Sequence, residues 1–145
     1  MIEQPMLIGG QTAQASNGAT FERRNPLDGS VATRAPAATA ADAVRAVEAA
    51  QAAFPAWAAL GPTQRRQMLM KASQALAAKA DAFAAAMAAE TGASGIWAGF
   101  NVHLSANMLL EAAALTTQIN GQVIPSDVPG SMAMAVRQPA GVVLG

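Results

Sequence analysis

The sequence predicts a mainly α-helical segment with short strands at both ends, belonging to a larger α/β protein. Apolar residues recur at helical spacing between residues 39 and 119, whereas residues 6–34 and 122–139 carry strand and turn signals. Residues 140–145 contain the run Val142–Leu144, which is typical of a strand buried on both faces of a parallel sheet. We therefore expect the chain to be the opening part of a longer protein, with a central sheet starting at its last residues.

Residues 6–34 predict short strands and one defined turn. Met6–Ile8 is an apolar strand stopped by two glycines, and Phe21–Arg24 is a candidate partner strand. Asn25–Gly29 predicts a turn, because its proline restricts the residue before it and its last glycine tolerates a positive φ. Val31–Arg34 is expected to be the strand that leaves this turn.

The first of three predicted helices begins after Thr39. Thr39 and Asp42 match a capping box, with the carboxylate near the positive end of the helix dipole. Val44 and Val47 fall on one apolar face of this helix. Pro55 is expected to kink or restart the helix, because proline lacks the N–H that an interior turn needs.

The second predicted helix runs from Pro62 to Thr91, with Gly92 as a left-handed C-cap. The third runs from about Ser94 to Ile119. Large apolar side chains lie on both sides of the third helix, so we expect it to be buried on more than one face. Beyond it the residue pattern predicts two strands, a short one at 122–125 and a longer one at 131–138.

Composition excludes several classes of protein. Net charge is 0 and only 12% of residues are charged, so the basic surface of a nucleic-acid-binding protein is absent. There are no cysteines, which excludes disulfides, thiolate metal sites and a cysteine nucleophile within these residues. The first residues lack a signal-peptide pattern, and charges interrupt the alanine-rich stretches. We expect a cytoplasmic protein that self-associates or packs against a further part of its own chain.

Three motifs admit both a functional and a structural interpretation. His103, the one histidine, is more often a packed or hydrogen-bonded residue than a metal ligand, since no second ligand lies three or four residues on. Arg65–Arg66 in the first turn of a helix could mark an anion site, although a solvated or carboxylate-bridged pair is the favoured interpretation. Trp97 and Phe100 could line an apolar pocket or belong to the core.

Six short motifs together resemble the N-terminal part of the aldehyde dehydrogenase superfamily. In chain order they are Asn25-Pro26 with Asp28-Gly29, Ala53-Phe54 with Trp57, Arg66 with Leu69, Glu90-Thr91-Gly92, Gly121 with Ile124-Pro125, and Arg137-Gln138-Pro139-Ala140-Gly141-Val142. Each motif is weak alone, but their order along nearly the whole chain is specific. Within the family, residues 92–103 look most like those of salicylaldehyde dehydrogenases.

The resemblance implies an α/β parent fold with a Rossmann-type cofactor domain and NAD(P)-dependent oxidation of an aldehyde, such as salicylaldehyde, to its acid. In the family a cysteine attacks the aldehyde, hydride passes to the nicotinamide and a glutamate activates water. NAD is the expected cofactor, with NADP as an alternative. The catalytic and cofactor-binding residues are expected beyond residue 145, so no catalytic residue is assigned within this chain.

The resemblance also implies peripheral site residues. Phe100 and Leu104 match substrate-tunnel positions of the family's third helix, and Trp97 lies about one turn earlier on the same side. Glu90 and the backbone of Arg24 loosely match a monovalent-cation site of some members; a carboxylate near a helix end with no ion is an equal alternative. The strands at 122–139 match part of an oligomerisation element, which implies a homodimer or homotetramer.

Two interpretations of the whole chain follow. The first is the N-terminal portion of an aromatic-aldehyde dehydrogenase, inactive and poorly folded or associated when isolated. The second is a free-standing helical interaction or oligomerisation domain without catalysis. The second requires a partner to cover the third predicted helix and to pair with the last strand, by dimerisation if necessary.

Overall fold

The computed structural model describes residues 1–145 and contains seven short strands and four helices. The strands are β1 (Ile2–Glu3), β2 (Met6–Ile8), β3 (Gln11–Ala13), β4 (Thr20–Arg24), β5 (Val31–Pro36), β6 (Gln122–Ile124) and β7 (Ala133–Ala135). The helices are α1 (Ala40–Ala58), α2 (Pro62–Ala77), α3 (Ala80–Thr91) and α4 (Gly95–Leu115). The helices form the middle of the chain and the strands its two ends, as the sequence predicts. No helix is long and apolar enough to cross a membrane.

The N-terminal strands form two separate sheets. In the larger one β5 lies in the centre, parallel to β1 and antiparallel to β4. In the smaller one β2 pairs with β3 through a turn at Gly9 and Gly10, whose φ values of 59° and 79° suit a tight hairpin. The strand predicted at Phe21–Arg24 exists, but its partner is β5 rather than Met6–Ile8, because the glycine turn pairs that strand locally.

The predicted turn between β4 and β5 is confirmed. The Gly29 amide donates to the carbonyl of Asn25 at 2.8 Å, and Gly29 adopts a φ of 75°. The Asn25 side chain accepts from the amide of Leu27 at 2.9 Å. The side chain of Asp28 accepts from the amide and the hydroxyl of Ser30, and these hydrogen bonds hold the pKa of Asp28 below its usual value.

The predicted capping box of α1 is also confirmed and extends further than the sequence indicates. Asp42 is 1% exposed and accepts from the amide of Thr39 at 2.9 Å and from the amide of Ser16 at 3.1 Å. Arg45 donates to its other oxygen at 2.7 Å. The backbone hydrogen bonds from Thr39 and Ser16 hold the pKa of Asp42 well below its usual range, so one carboxylate ties the loop before β4 to the start of α1.

Pro55 does not restart the helix, which is one of the two outcomes that the sequence predicts, and a kink at Pro55 stays a prediction. The helix α1 continues through Pro55 to Ala58. Proline fixes φ near a helical value, so a helix can continue through a proline in its last turn while it loses one backbone hydrogen bond.

The second predicted helix is divided into α2 and α3, which gives four helices where the sequence predicts three. The division lies at Ala78–Lys79, in a stretch without glycine or proline. Both helices pack against α4, but α3 also contacts β4 and β5. Tertiary packing therefore separates two segments that local propensity would join. The predicted left-handed cap at Gly92 is confirmed, with a φ of 69°.

The core is built from small side chains. Four residues of α4 are buried, namely Ala98, Val102, Ala106 and Ala113, and they face the α2–α3 layer. Ser73 of α2 donates to the carbonyl of Ala106 at 2.8 Å within this interface. The large apolar side chains of α4 and α1 remain exposed, including Val44 and Val47. The predicted burial of α4 on more than one face is therefore absent from the structure.

The last strands form a small antiparallel hairpin. β6 pairs with β7 in the register Val123↔Met134, so only three residues of the longer predicted strand at 131–138 are in a ladder. A Cβ at Gly121 would lie 2.5 Å from the carbonyl oxygen of Ala135, which explains a glycine at this point. Residues 136–145 belong to no strand, so a sheet strand at 140–145 stays a prediction for a longer polypeptide.

Candidate functional site

The three residues proposed to contact substrate lie on one face of α4. Trp97, Phe100 and Leu104 are spaced three and four apart, which brings their side chains together on a helix. Their exposed fractions are 55%, 51% and 44%. At about 3.6 residues per turn, this face lies opposite the side that buries Ala98 and Val102. The helix is therefore anchored by one side and presents an apolar surface on the other.

The aromatic pair on this face has a defined geometry. The rings of Trp97 and Phe100 are stacked, with centroids 5.3 Å apart and planes 24° from parallel. Ser94 caps the helix by accepting from the amide of Trp97 at 3.3 Å, and Asn101 donates its side-chain amide to the carbonyl of Trp97 at 2.8 Å. Hydrogen bonds to the amide and to the carbonyl of Trp97 fix the backbone that carries the indole. The stacked rings therefore form a flat apolar surface on a fixed stretch of helix.

This aromatic face is a wall and not an enclosed pocket. The two largest clefts lie elsewhere, and none of the three side chains lines them. One cleft, of about 450 Å³, lies between α3 and α4 and is lined by Phe83, Met87 and Ser105 among others. A ligand held by the wall would need a second surface opposite it, because small-molecule sites bury most of their ligand.

Glu90 lies beside β4, as the cation hypothesis requires, but its carboxylate already has partners. Thr33 donates its hydroxyl to one oxygen at 2.6 Å, and Nε of Arg23 lies 3.2 Å from the other. The guanidinium of Arg24 pairs with Glu22 at 2.6 Å. No group of three or more acidic, histidine or cysteine side chains is assembled. The monovalent-cation site at Glu90 and the backbone of Arg24 stays a prediction.

The two remaining candidates are the histidine and the arginine pair, and their exposure distinguishes the interpretations given above. His103 is exposed on α4, so the interpretation of a packed core histidine is wrong. Arg66 is exposed, whereas Arg65 is half-buried and lines a cleft between α1, α2 and residues 137–143. Sequence reasoning missed the contact of Glu90 with Arg23, and no local signal could have revealed it, because the two residues are brought together only by packing of α3 against β4.

The glycines at the end of the chain do not match the common dinucleotide-binding motif. Gly141 and Gly145 flank an apolar run, but no three-glycine fingerprint precedes a helix whose N-terminus could receive a pyrophosphate. The placement of the cofactor-binding residues outside residues 1–145 stays a prediction, and the chain contains no cysteine that could act as nucleophile.

Comparison with known proteins identifies the family. The aldehyde dehydrogenase family model matches residues 13–145. A vanillin dehydrogenase from Pseudomonas fluorescens is 61% identical over 145 residues, which is 100% of this chain and 30% of that protein. A salicylaldehyde dehydrogenase from Pseudomonas putida is 44% identical over 143 residues, 99% of this chain and 30% of that protein.

Solved structures agree with the sequence relatives. A salicylaldehyde dehydrogenase from Pseudomonas putida G7, complexed with salicylaldehyde, superposes with a TM-score of 0.93 at 42% identity, over 96% of this chain and 29% of that one. The chain thus spans about 30% of the length of the relatives it matches. The matched motifs, the shared fold and the family model lead to one conclusion: this chain belongs to the aldehyde dehydrogenase family.

Proposed function

We propose that these residues form the N-terminal portion of an NAD(P)-dependent dehydrogenase that oxidises an aromatic aldehyde to its carboxylic acid. The observation that carries the proposal is the stacked pair Trp97–Phe100 on the exposed face of α4. Its support comes from relatives whose names specify vanillin and salicylaldehyde, both aromatic aldehydes. Salicylaldehyde itself is a candidate substrate.

The wall suits a flat ring for physical reasons. Two stacked aromatic side chains offer a broad apolar plane, and an aryl ring gains both burial and an oriented π contact against it. Leu104 extends the same apolar face by one turn. A short aliphatic aldehyde covers little of this surface, so the wall contributes more to binding an aryl substrate.

The chemistry itself belongs to the rest of the proposed full-length polypeptide. A nicotinamide cofactor held by the full-length polypeptide would supply the hydride acceptor for this oxidation. The residues described here would hold the aryl group and exclude water from one side of it. We expect the isolated 145-residue chain to be inactive, and NADH formation from salicylaldehyde by that purified chain would contradict the proposal.

Trp97→Ala in the full-length polypeptide tests the wall. We expect kcat/KM for salicylaldehyde to fall about tenfold relative to kcat/KM for a short aliphatic aldehyde, which corresponds to about 1.4 kcal/mol. The matched control is Val47→Ala on α1, because Val47 is an apolar residue with a similar exposed fraction, 54%, and lies outside the wall. An unchanged ratio in Trp97→Ala, or an equal loss in Val47→Ala, would refute the assignment.

We further propose that the full-length polypeptide is a cytoplasmic homodimer or homotetramer in which the β6–β7 hairpin contributes to the subunit contact. Val123 and Met134 lie opposite each other in this hairpin, and both are more than half exposed. A two-stranded sheet with apolar faces and free edges is suited to strand pairing with another chain. Replacing Met134 with lysine and measuring the mass in solution tests this, and an unchanged oligomer would contradict it.

A further inference from the structure

A cleft away from the aromatic wall contains two arginines and no acidic residue. It has a volume of about 500 Å³ and lies between the end of α1, the start of α2 and residues 137–143. Arg65 and Arg137 line it together with Phe54, Trp57 and Ile119. The cleft therefore combines positive charge with apolar walls.

Arg65 is the residue in this cleft with a buried donor that lacks a partner. Its Nε is buried and makes no hydrogen bond. By contrast, Arg23, Arg34 and Arg45 each form an ion pair with a carboxylate. A guanidinium N–H that is removed from water without an acceptor is destabilising, so an acceptor that enters the cleft would stabilise the folded state.

We propose that this cleft binds a carboxylate group, held by Arg65 with Arg137 as a second cation. A carboxylate offers two oxygens in a plane, which matches the fork of donors on a guanidinium. The apolar walls at Phe54 and Trp57 accommodate the carbon atoms attached to the carboxylate and strengthen its attraction to Arg65 by excluding water.

The carboxylate can come from two sources. One is an aspartate or glutamate of the polypeptide beyond residue 145, and this source rests on the proposed function. The other is a free aromatic acid, the class of compound that the proposed reaction releases. Benzoate is the probe for the second source, because it carries the carboxylate on a ring that the aromatic walls can contact.

The test compares Arg65→Gln with Arg66→Gln in the full-length polypeptide. Both variants lose one positive charge in the same turn of α2, but Arg66 is exposed and does not line the cleft. The readout is the thermal unfolding temperature between neutral pH and about pH 3, which lies below the ordinary carboxyl pKa, with and without benzoate. Thermal unfolding can be measured without aldehyde oxidation. A negative result for the carboxylate site is therefore distinguishable from a lack of the proposed dehydrogenase activity.

An internal carboxylate predicts that Arg65→Gln lowers the unfolding temperature at neutral pH by about 2–4 °C, while Arg66→Gln leaves it unchanged. The difference between parent and Arg65→Gln should shrink as pH falls, because the ion pair lowers the pKa of the carboxylate and is lost on protonation. A free carboxylate predicts instead that benzoate raises the unfolding temperature of the parent and of Arg66→Gln but not of Arg65→Gln.

Either pattern supports the proposal and identifies the source. Equal effects of the two substitutions without a response to benzoate would overturn it. A loss in Arg65→Gln that is independent of pH, again without a benzoate response, would also overturn it, because the acceptor would then be a neutral carbonyl. If Arg65→Gln does not fold, Arg137→Gln is the second variant. We expect it to change the unfolding temperature in the same direction but by less, because Arg137 is exposed.

Discussion

The two faces of α4 are made of different side chains and differ in burial. The inner face buries alanine and valine against α2 and α3, with Ala98 fully buried and Ala113 1% exposed. The outer face carries Trp97, Phe100 and Leu104, all roughly half exposed. Small residues let helices approach closely, so stability within this segment depends on the inner face. The large apolar residues are left free for another surface, which is the reverse of their usual distribution.

The largest expected effect comes from enlarging the inner face. Ala113→Leu should destabilise the full-length polypeptide by about 1–3 kcal/mol, because there is no space for a larger side chain at the helix interface. Ala112→Leu is the matched control, since Ala112 is the adjacent residue of α4 and is exposed. The measurement is the denaturant midpoint of each variant. Similar midpoints for the two variants would contradict the assignment of the inner face.

Loss of the cap at the start of α1 should have the second-largest effect on stability. Thr39→Ala removes the hydroxyl that accepts from the amide of Asp42, at a cost of about 1 kcal/mol.

Because hydrogen bonds lower the pKa of Asp42, its contribution to stability is present at neutral pH and is lost as pH falls through that lowered pKa. Asp42→Asn should therefore be less stable than the parent at neutral pH and approach it in strong acid. Parallel stability–pH curves would refute this.

The buried hydroxyl of Ser73 provides a smaller test of the inner face. Ser73→Ala removes the hydrogen bond to the carbonyl of Ala106 and should cost about 0.5–1.5 kcal/mol. Ser105→Ala, on the exposed part of α4, should leave the unfolding transition unchanged. Thermal unfolding of both variants checks the prediction, and equal shifts would argue against the α2–α4 interface.

The smallest effect on stability is expected on the outer face. Phe100→Ala should change the free energy of unfolding of the full-length polypeptide by no more than about 0.5 kcal/mol, because exposed substitutions are usually near neutral. In the full-length polypeptide the same substitution should still lower the preference for aromatic over aliphatic aldehydes. A large loss of stability without a change in preference would make Phe100 a core residue and not part of a substrate wall.

Local signals predicted two helix caps correctly, whereas the third predicted helix ends at Leu115 and not at Ile119. Thr39 and Gly92 act as caps where the sequence expects them, because capping depends on a few neighbouring residues. The division between α2 and α3 was not predictable, since Ala78–Lys79 carries no breaking residue. The aromatic wall was expected from the family resemblance and not from periodicity, which equally allowed Trp97 and Phe100 to be core residues.

The sequence by itself determined that helices lie between strands at both ends of the chain, the caps at Thr39 and Gly92, the turn at Asn25–Gly29 and membership of the family. These depend on neighbouring residues or on motifs in order, and both are visible in one dimension. Only the tertiary structure decided that α4 buries its alanines and exposes its aromatics, and that Arg65 enters a cleft while Arg66 does not. Helical spacing shows which residues share a face, but only the position of neighbouring elements decides which face is covered.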